Sequence, residues 1–175
     1  DPAKDPIRIV GGDVRGRVIG EGANLGCTPA GRIEYALQGA GGIGGRNNTD
    51  FIDNSAGVDC SDKEVNIKIA LASAKRDGRL DEDARVALLA EMTGDVAQLV
   101  LEDNRLQALG LSIAEAGGAG VTGSLVRLIE MLEEGGDLDR RTEGLADSDA
   151  FIRRAAEGRG LTRPELAVLL SSAKL

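Results

Sequence analysis

Val14-Arg15-Gly16-Arg17-Val18-Ile19-Gly20-Glu21-Gly22-Ala23-Asn24 is the stretch on which the fold turns. Residues 14–19 are a short β-branched run that passes directly into a loop of glycine, alanine and two polar side chains. That pattern predicts a strand whose carboxyl end opens onto a loop that β-carbons would crowd. In open α/β sheets ligands lie just beyond the carboxyl ends of strands. Small residues there let backbone approach a ligand closely, and the Asn24 amide offers two donors and an acceptor. A tight turn using Asn for left-handed geometry accounts for the same residues, and spacing alone favours neither.

Outward from this stretch, Ile7-Arg8-Ile9-Val10 reads as a preceding strand, with Gly11-Gly12-Asp13 as the turn between the two. Residues 30–37 suit two helical turns, 38–48 a glycine-rich loop, and Thr49 to Ile52 another short strand. From Ser61 onward the apolar period becomes 3.6. Ser61-Asp62-Lys63-Glu64 has capping-box spacing before a helix to about Lys75, which Asp77-Gly78 ends. Asp81 caps a second helix reaching Ala116, with a bend expected near Gly94. Gly117–Gly123 reads as a flexible break. Further helices are expected at 124–134, at 148–157, and from the Thr162-Arg163-Pro164-Glu165 cap toward Leu175. The shift near residue 61 sets the expected boundary, between a region 1–61 and a helical region 62–175.

Composition narrows the chemistry. Two Phe, one Tyr and no Trp leave the core of this 175-residue chain to Leu, Val, Ile and Ala, which favours packed helices. A net charge of −8 and the lack of aromatic platforms argue against nucleic acid as a partner. The absence of histidine removes Ser-His and Cys-His nucleophiles, and Cys27 and Cys60 sit in no disulfide or metal spacing. No apolar run approaches the ~18 residues of a membrane span. A reduced, cytoplasmic compartment is expected. The chain starts at Asp1-Pro2-Ala3-Lys4 without an initiator Met, which fits a piece of a longer polypeptide.

Two further clusters invite a ligand. Gly39-Ala40-Gly41-Gly42-Ile43-Gly44 spells the glycine spacing of a dinucleotide pyrophosphate loop. Such a loop needs a strand before it and a helix N-terminus after it. Here a helix-like segment precedes it and Gly45-Arg46-Asn47-Asn48-Thr49 follows without helical pattern, so a surface loop is the better account. Asp53-Asn54-Ser55-Ala56-Gly57-Val58-Asp59-Cys60-Ser61-Asp62 is the densest polar cluster. It ends where a helix is expected to begin, so free N–H groups and the helix dipole there would suit a carboxylate. Local chemistry alone favours a plain N-cap for Ser61 and an Asx-turn for Asn54. Cys60, flanked by two aspartates, reads as an inert thiol.

Taken together, Val18 to Thr28, Gly31-Arg32-Ile33-Glu34-Tyr35-Ala36-Leu37, Asn48-Thr49-Asp50, Asn54 to Asp62 and Glu64-Val65-Asn66-Ile67-Lys68 resemble the large-subunit class of bacterial NAD-specific glutamate dehydrogenases. The likeness weakens through Leu88–Thr93 and Leu99–Asn104 and returns at Gly158–Leu170. The resemblance implies an α/β fold turning mostly α: terminal strands of a Rossmann-type NAD-binding domain, then a helical region. It implies that Gly22, Ala23 and Asn24 bind NAD, with Asn24 at the nicotinamide end. Asn54 would also contact the cofactor, and Ser61 would bind a substrate carboxylate. Ser55-Ala56 departs from the family's usual Ala-Gly. The family's catalytic lysine and aspartate and its true dinucleotide loop have no counterpart here, since Lys4 is the only lysine before Lys63.

The expected function is therefore a part of an NAD-dependent glutamate dehydrogenase, itself inactive, which supplies positioning groups and no acid, base or nucleophile. L-glutamate and 2-oxoglutarate are the implied substrates, the implied parent is a homo-oligomer, and neither nucleic acid nor membrane is a partner. The rival is a non-catalytic helical module for regulation or assembly, since everything after residue 61 is amphipathic helix.

Overall fold

The computed structural model describes residues 9–22 and 26–173. By contact the chain divides into two compact units: residues up to Asp53 with those from Leu109 on, and Asn54–Ala108. Residue 61 lies within a helix.

In the first unit β1 (Val18–Ile19) pairs in parallel with β2 (Arg46–Asn47), Val18 opposite Arg46 and Ile19 opposite Asn47. Parallel neighbours cannot be joined by a tight turn, and α1 (Pro29–Gly42) makes the crossover. Thr28 starts it: its hydroxyl accepts the Gly31 N–H at 3.1 Å. Pro29 takes the first helical position, where its missing N–H is no loss.

Among the described residues these are the only strands, fewer than expected. Ile7 and Arg8 lie outside the described residues, Ile9 and Val10 are exposed coil, and Gly11–Asp13 forms a 3-10 turn. That segment packs on α1 rather than pairing: the Gly11 N–H donates to Glu34 at 3.1 Å. The expected strand at Thr49–Ile52 is the short helix α2 (Asp50–Asp53), because the Thr49 carbonyl accepts from both Ile52 and Asp53 N–H.

The glycine-rich stretch ends α1. Gly39 has an extended ψ of −172°, and Ala40 and Gly41 follow in left-handed geometry, φ 53° and 77°. A phosphate loop begins a helix, whereas this one finishes it. Tyr35 explains its composition. The ring is 2% exposed and its hydroxyl donates to the Gly16 carbonyl at 2.7 Å. A β-carbon would stand 2.2 Å from that ring at Gly39 and 2.0 Å from it at Gly45.

The second unit is built from α3 (Ser55–Arg76) and α4 (Glu82–Ala116) as far as Ala108. α3 starts six residues before the capping box expected at Ser61. The Asn54 carbonyl already accepts the Gly57 and Val58 N–H groups, at 3.1 and 3.3 Å, so the first turn closes there. Gly78, at φ 69°, follows the end of α3, and Asp81 caps α4 through the Ala84 N–H at 2.8 Å. α4 is helical across Gly94 for 35 residues. Leu71 and Val100 are buried here, and the Lys63 ammonium joins Asp59 at 2.6 Å to Asp103 at 2.8 Å. No single described helix is long and apolar enough to cross a membrane.

Returning to the first unit, the expected flexible break is a 3-10 turn (Gly118–Val121) that leads straight into α5 (Thr122–Gly135). α6 (Ser148–Ala156) and α7 (Arg163–Ser172) complete the core, in which Leu111, Ile129, Phe151, Leu166 and Ala167 are almost fully covered. Glu165 is buried among them. Its carboxylate accepts from the Thr162 N–H at 2.6 Å, the Thr162 hydroxyl at 2.7 Å and Arg154 Nη2 at 2.6 Å. The capping box read from Thr162 and Glu165 is thus also a buried ion pair.

Two stability measurements test these assignments by chemical denaturation of the chain. Glu165→Ala leaves Arg154 unpaired and is expected to cost about 3–5 kcal/mol, against about 1 kcal/mol for loss of the cap in Thr162→Ala. Gly45→Ala drives a β-carbon into the Tyr35 ring and is expected to cost about 3 kcal/mol. Gly20→Ala, where a β-carbon meets nothing within 4 Å, is expected to stay within about 0.5 kcal/mol.

Candidate functional site

Parallel pairing has a direct consequence: both strands end on the same side of the first unit. Gly20-Glu21-Gly22 leaves β1 beside Asn48–Asp53, which leaves β2. One carboxylate ties the two together. Asp53 Oδ2 accepts the Glu21 N–H at 2.8 Å, and Asp53 Oδ1 accepts from Asn48 Nδ2 at 2.7 Å. Asn48 is fixed in turn by Arg163, whose Nε donates to its Oδ1 at 2.6 Å. Arg163 also reaches Ser112 and Glu115, both at 3.1 Å. The last helix of the chain is therefore bonded to the loop after β2.

Below Asp53 in this network lies a buried ion pair. Glu21 is 8% exposed and Arg32 4%. Arg32 Nε donates to Glu21 Oε2 at 2.7 Å and Nη2 to Oε1 at 2.8 Å, a bidentate fork. Asp50 lies 3.3 Å from the same guanidinium. Burial opposes ionisation of Glu21, but hydrogen bonds from Arg32 and the Cys27 N–H, with the charge of Arg32, hold its carboxyl below the ordinary range. Burial works against the Arg32 charge too, and Glu21 more than restores it. Cys27 is pushed the other way: burial first, and the Glu21 charge next, raise its thiol above the ordinary value.

Beside these charges the backbone is open. A β-carbon at Gly20 or Gly22 meets no described atom within 4 Å, and neither has a positive φ. At the end of β2, Asn47 Nδ2 donates to the Arg32 carbonyl at 3.2 Å, while Asn47 Oδ1 and Thr49 Oγ1 are buried without a hydrogen-bond partner among the described residues.

The residues singled out from sequence are distributed unevenly. Gly22 is exposed at this strand end. Ala23 and Asn24 lie outside the described residues. Asn54 and Ser61 belong to the second unit. Asn54 precedes α3, and Gly57 keeps clear of it: a β-carbon there would stand 3.1 Å from Asn54 Oδ1. Ser61 is exposed in the second turn of α3. The N-cap and helix-dipole arguments for it therefore fail, because the N-terminus they require is at Ser55. The same holds for Cys60, which is exposed on α3 rather than beside its start. Ser55, where the motif departs from the family, is buried and donates its hydroxyl to the Asn104 amide oxygen within the second unit.

Sequence reasoning missed Glu21, Arg32, Asn48, Asp53 and Arg163. Glu21 and Arg32 had a signal, an acid and a base on either side of the Thr28-Pro29 helix start. Arg163 and Asn48, 115 positions apart, had none. Lys63 is no candidate for an amine base. Its hydrogen bonds to Asp103 and Asp59 raise its pKa, and an amine base needs the opposite shift.

Residues 1–114 match the family described as the catalytic domain of bacterial NAD-glutamate dehydrogenase. The NAD-specific glutamate dehydrogenases of Pseudomonas aeruginosa and Mycobacterium tuberculosis are each 45% identical over 175 residues, all of this chain and 10% of their own length. That of Halomonas elongata is 45% identical over 174 residues, again 10% of its length. The chain thus spans about a tenth of the relatives it matches. It belongs to the bacterial NAD-glutamate dehydrogenase family.

Proposed function

We propose that this chain is a segment of an NAD-dependent glutamate dehydrogenase and lines part of its cofactor site without carrying out the chemistry. The parent reaction is oxidative deamination of L-glutamate to 2-oxoglutarate and ammonia, with water supplying the keto oxygen and NAD, when bound, accepting the hydride. The observation that carries the reading is the parallel β1–β2 pair. Its carboxyl ends bring Gly20–Gly22 beside Asn48–Asp53, in the place where α/β sheets bind ligands.

The described residues suit only one edge of a dinucleotide. Gly20 and Gly22 leave backbone open at the strand end, and Glu21, Asp50 and Asp53 already have partners in Arg32, Asn48 and the Glu21 N–H. The open backbone beside these bonded carboxylates is the surface we assign to the nicotinamide edge. The Gly39–Gly44 stretch forms no phosphate cradle, because it closes a helix and packs on Tyr35. We assign cofactor contacts to Gly22, Ala23, Asn24 and Asn54 and the substrate carboxylate to Ser61. The Ser61 assignment rests on motif spacing and an exposed hydroxyl. The two strands are read as the terminal strands of a Rossmann-type sheet completed by the rest of the parent. Region 1–61 then belongs to the NAD-binding domain and 62–175 to the helical region. The parent is read as a cytoplasmic homo-oligomer with no nucleic-acid or membrane partner, the free thiols of Cys27 and Cys60 suiting a reduced compartment.

One observation favours the assembly reading. Leu99 and Leu106 stand seven residues apart on α4 in the second unit and are exposed, as on a helix that meets another helix. Substitution in the full-length parent separates the two. Asn24→Ala is expected to lower kcat/KM about tenfold to a hundredfold, the worth of one or two lost hydrogen bonds, with the elution volume unchanged. Loss of assembly with activity per folded protomer intact would favour the rival. The 175-residue chain alone is expected to form no NADH from glutamate and NAD in a spectrophotometric assay.

A further inference from the structure

Arg163 stands at the start of α7, beyond the residues 1–114 that match the catalytic-domain family, yet it is bonded to the strand ends. Its Nε donates to Asn48 Oδ1 at 2.6 Å, and Asn48 Nδ2 donates to Asp53 Oδ1 at 2.7 Å. The other oxygen of that carboxylate, Oδ2, accepts the Glu21 N–H at 2.8 Å. This series has one satisfied arrangement. A guanidinium only donates and a carboxylate only accepts, so the amide between them must turn its oxygen to Arg163 and its nitrogen to Asp53. Asp53 is thereby held with Oδ2 toward β1, and the bond it takes from Glu21 sets the plane of the Gly20–Glu21 peptide.

The bond to Asn48 is not what holds α7 in place. Pro164 to Leu169 are all buried, Glu165 is paired with Arg154, and Arg163 also reaches Ser112 and Glu115. What the bond adds is position at the strand end. It joins a helix anchored in the core to backbone that is open on its other side, since a β-carbon at Gly20 or Gly22 meets no described atom within 4 Å. We propose that Arg163 is a positioning residue for the cofactor: through Asn48 and Asp53 it fixes the Gly20–Glu21 peptide, at the strand end assigned to the nicotinamide edge. The inference rests on the cofactor reading above. Arg163 touches neither cofactor nor substrate in this role, and its influence falls on the binding of NAD. The helix α7 then serves the cofactor site as well as the core.

The test uses the full-length parent enzyme and steady-state kinetics with NAD and glutamate varied in turn. Arg163→Met keeps much of the side-chain stem and removes the donors, and Asn48→Ala removes the link itself. Each is expected to raise KM for NAD about tenfold, within the range of groups that act through a bonded network. KM for glutamate is expected to stay within about twofold, and the double variant to match the single ones, because both break one series. Leu169→Ala, which loosens α7 without touching the series, is expected to melt earlier while keeping KM for NAD within about twofold. If the parent turns over while both single variants keep its KM for NAD, the positioning role is overturned and the cofactor reading stands. It is overturned equally if both KM values rise together, if the single effects multiply, or if Leu169→Ala raises KM for NAD as much. Loss of folding in one single variant leaves the other to decide; loss in both assigns the series to the fold alone and overturns the proposal. A parent that reduces no NAD with glutamate overturns the functional reading itself.

Discussion

Val18 lies opposite Arg46 in parallel, and that pairing constrains everything else in the first unit. Parallel strands force the chain to leave the sheet, cross over and return. The crossover needs a helix with a firm start and a sharp stop. Thr28 and Pro29 provide the start, and Gly39 through Gly45 the stop, wrapped on Tyr35. Because the crossover carries Arg32, the same requirement delivers a guanidinium to the loop after β1. Parallel pairing also places the exits of both strands together, which antiparallel pairing would not have done. The site is thus a by-product of how the strands must be joined.

The network at those exits joins the end of the chain to the strand ends near its beginning. Arg163 lies at the start of α7 and donates to Asn48, which donates to Asp53, which receives the Glu21 N–H. Each group is fixed by the next, so the geometry of the glycine segment depends on a helix that no local reading would connect to it. α7 is held by burial of Leu166 to Leu169 and by the Glu165–Arg154 pair. Core packing and site geometry are therefore continuous in the first unit.

Legibility followed the range of the interactions. Helix starts set within four residues were read correctly at Thr162, where a capping box is complete in itself, and the stop at Asp77-Gly78 was equally local. Ser61 shows the limit. Its spacing to Glu64 satisfies the same pattern, but backbone bonds to the Asn54 carbonyl close the helix two turns earlier, and a cap signal inside a helix has no force. Residues 49–52 failed for a related reason, since four residues do not distinguish a strand from one turn of helix. The strand expected at 7–10 failed in its described half for want of a partner, as Glu34 takes the Gly11 N–H. The hydrogen bonds that shape the site join residues 11, 32 and 115 positions apart and left no periodic trace.

Two sets of glycines show how composition and role come apart. Those at 39 and 45 match or adjoin a nucleotide-loop spacing, and both are small because the Tyr35 ring leaves no room for a β-carbon. Those at 20 and 22 match no loop spacing, and nothing among the described atoms requires them to be small. Glycine loses more conformational freedom on folding than any other residue, so a glycine without an internal reason is a cost to the fold. Close approach of something outside the described residues removes that contradiction at Gly20 and Gly22. Glu21 and Asp50 share the Arg32 guanidinium, and Asp53 is held by the Asn48 amide and the Glu21 N–H. On the cofactor reading proposed above, charge is kept inside at Glu21 while the backbone of Gly20 and Gly22 is left open to a ligand.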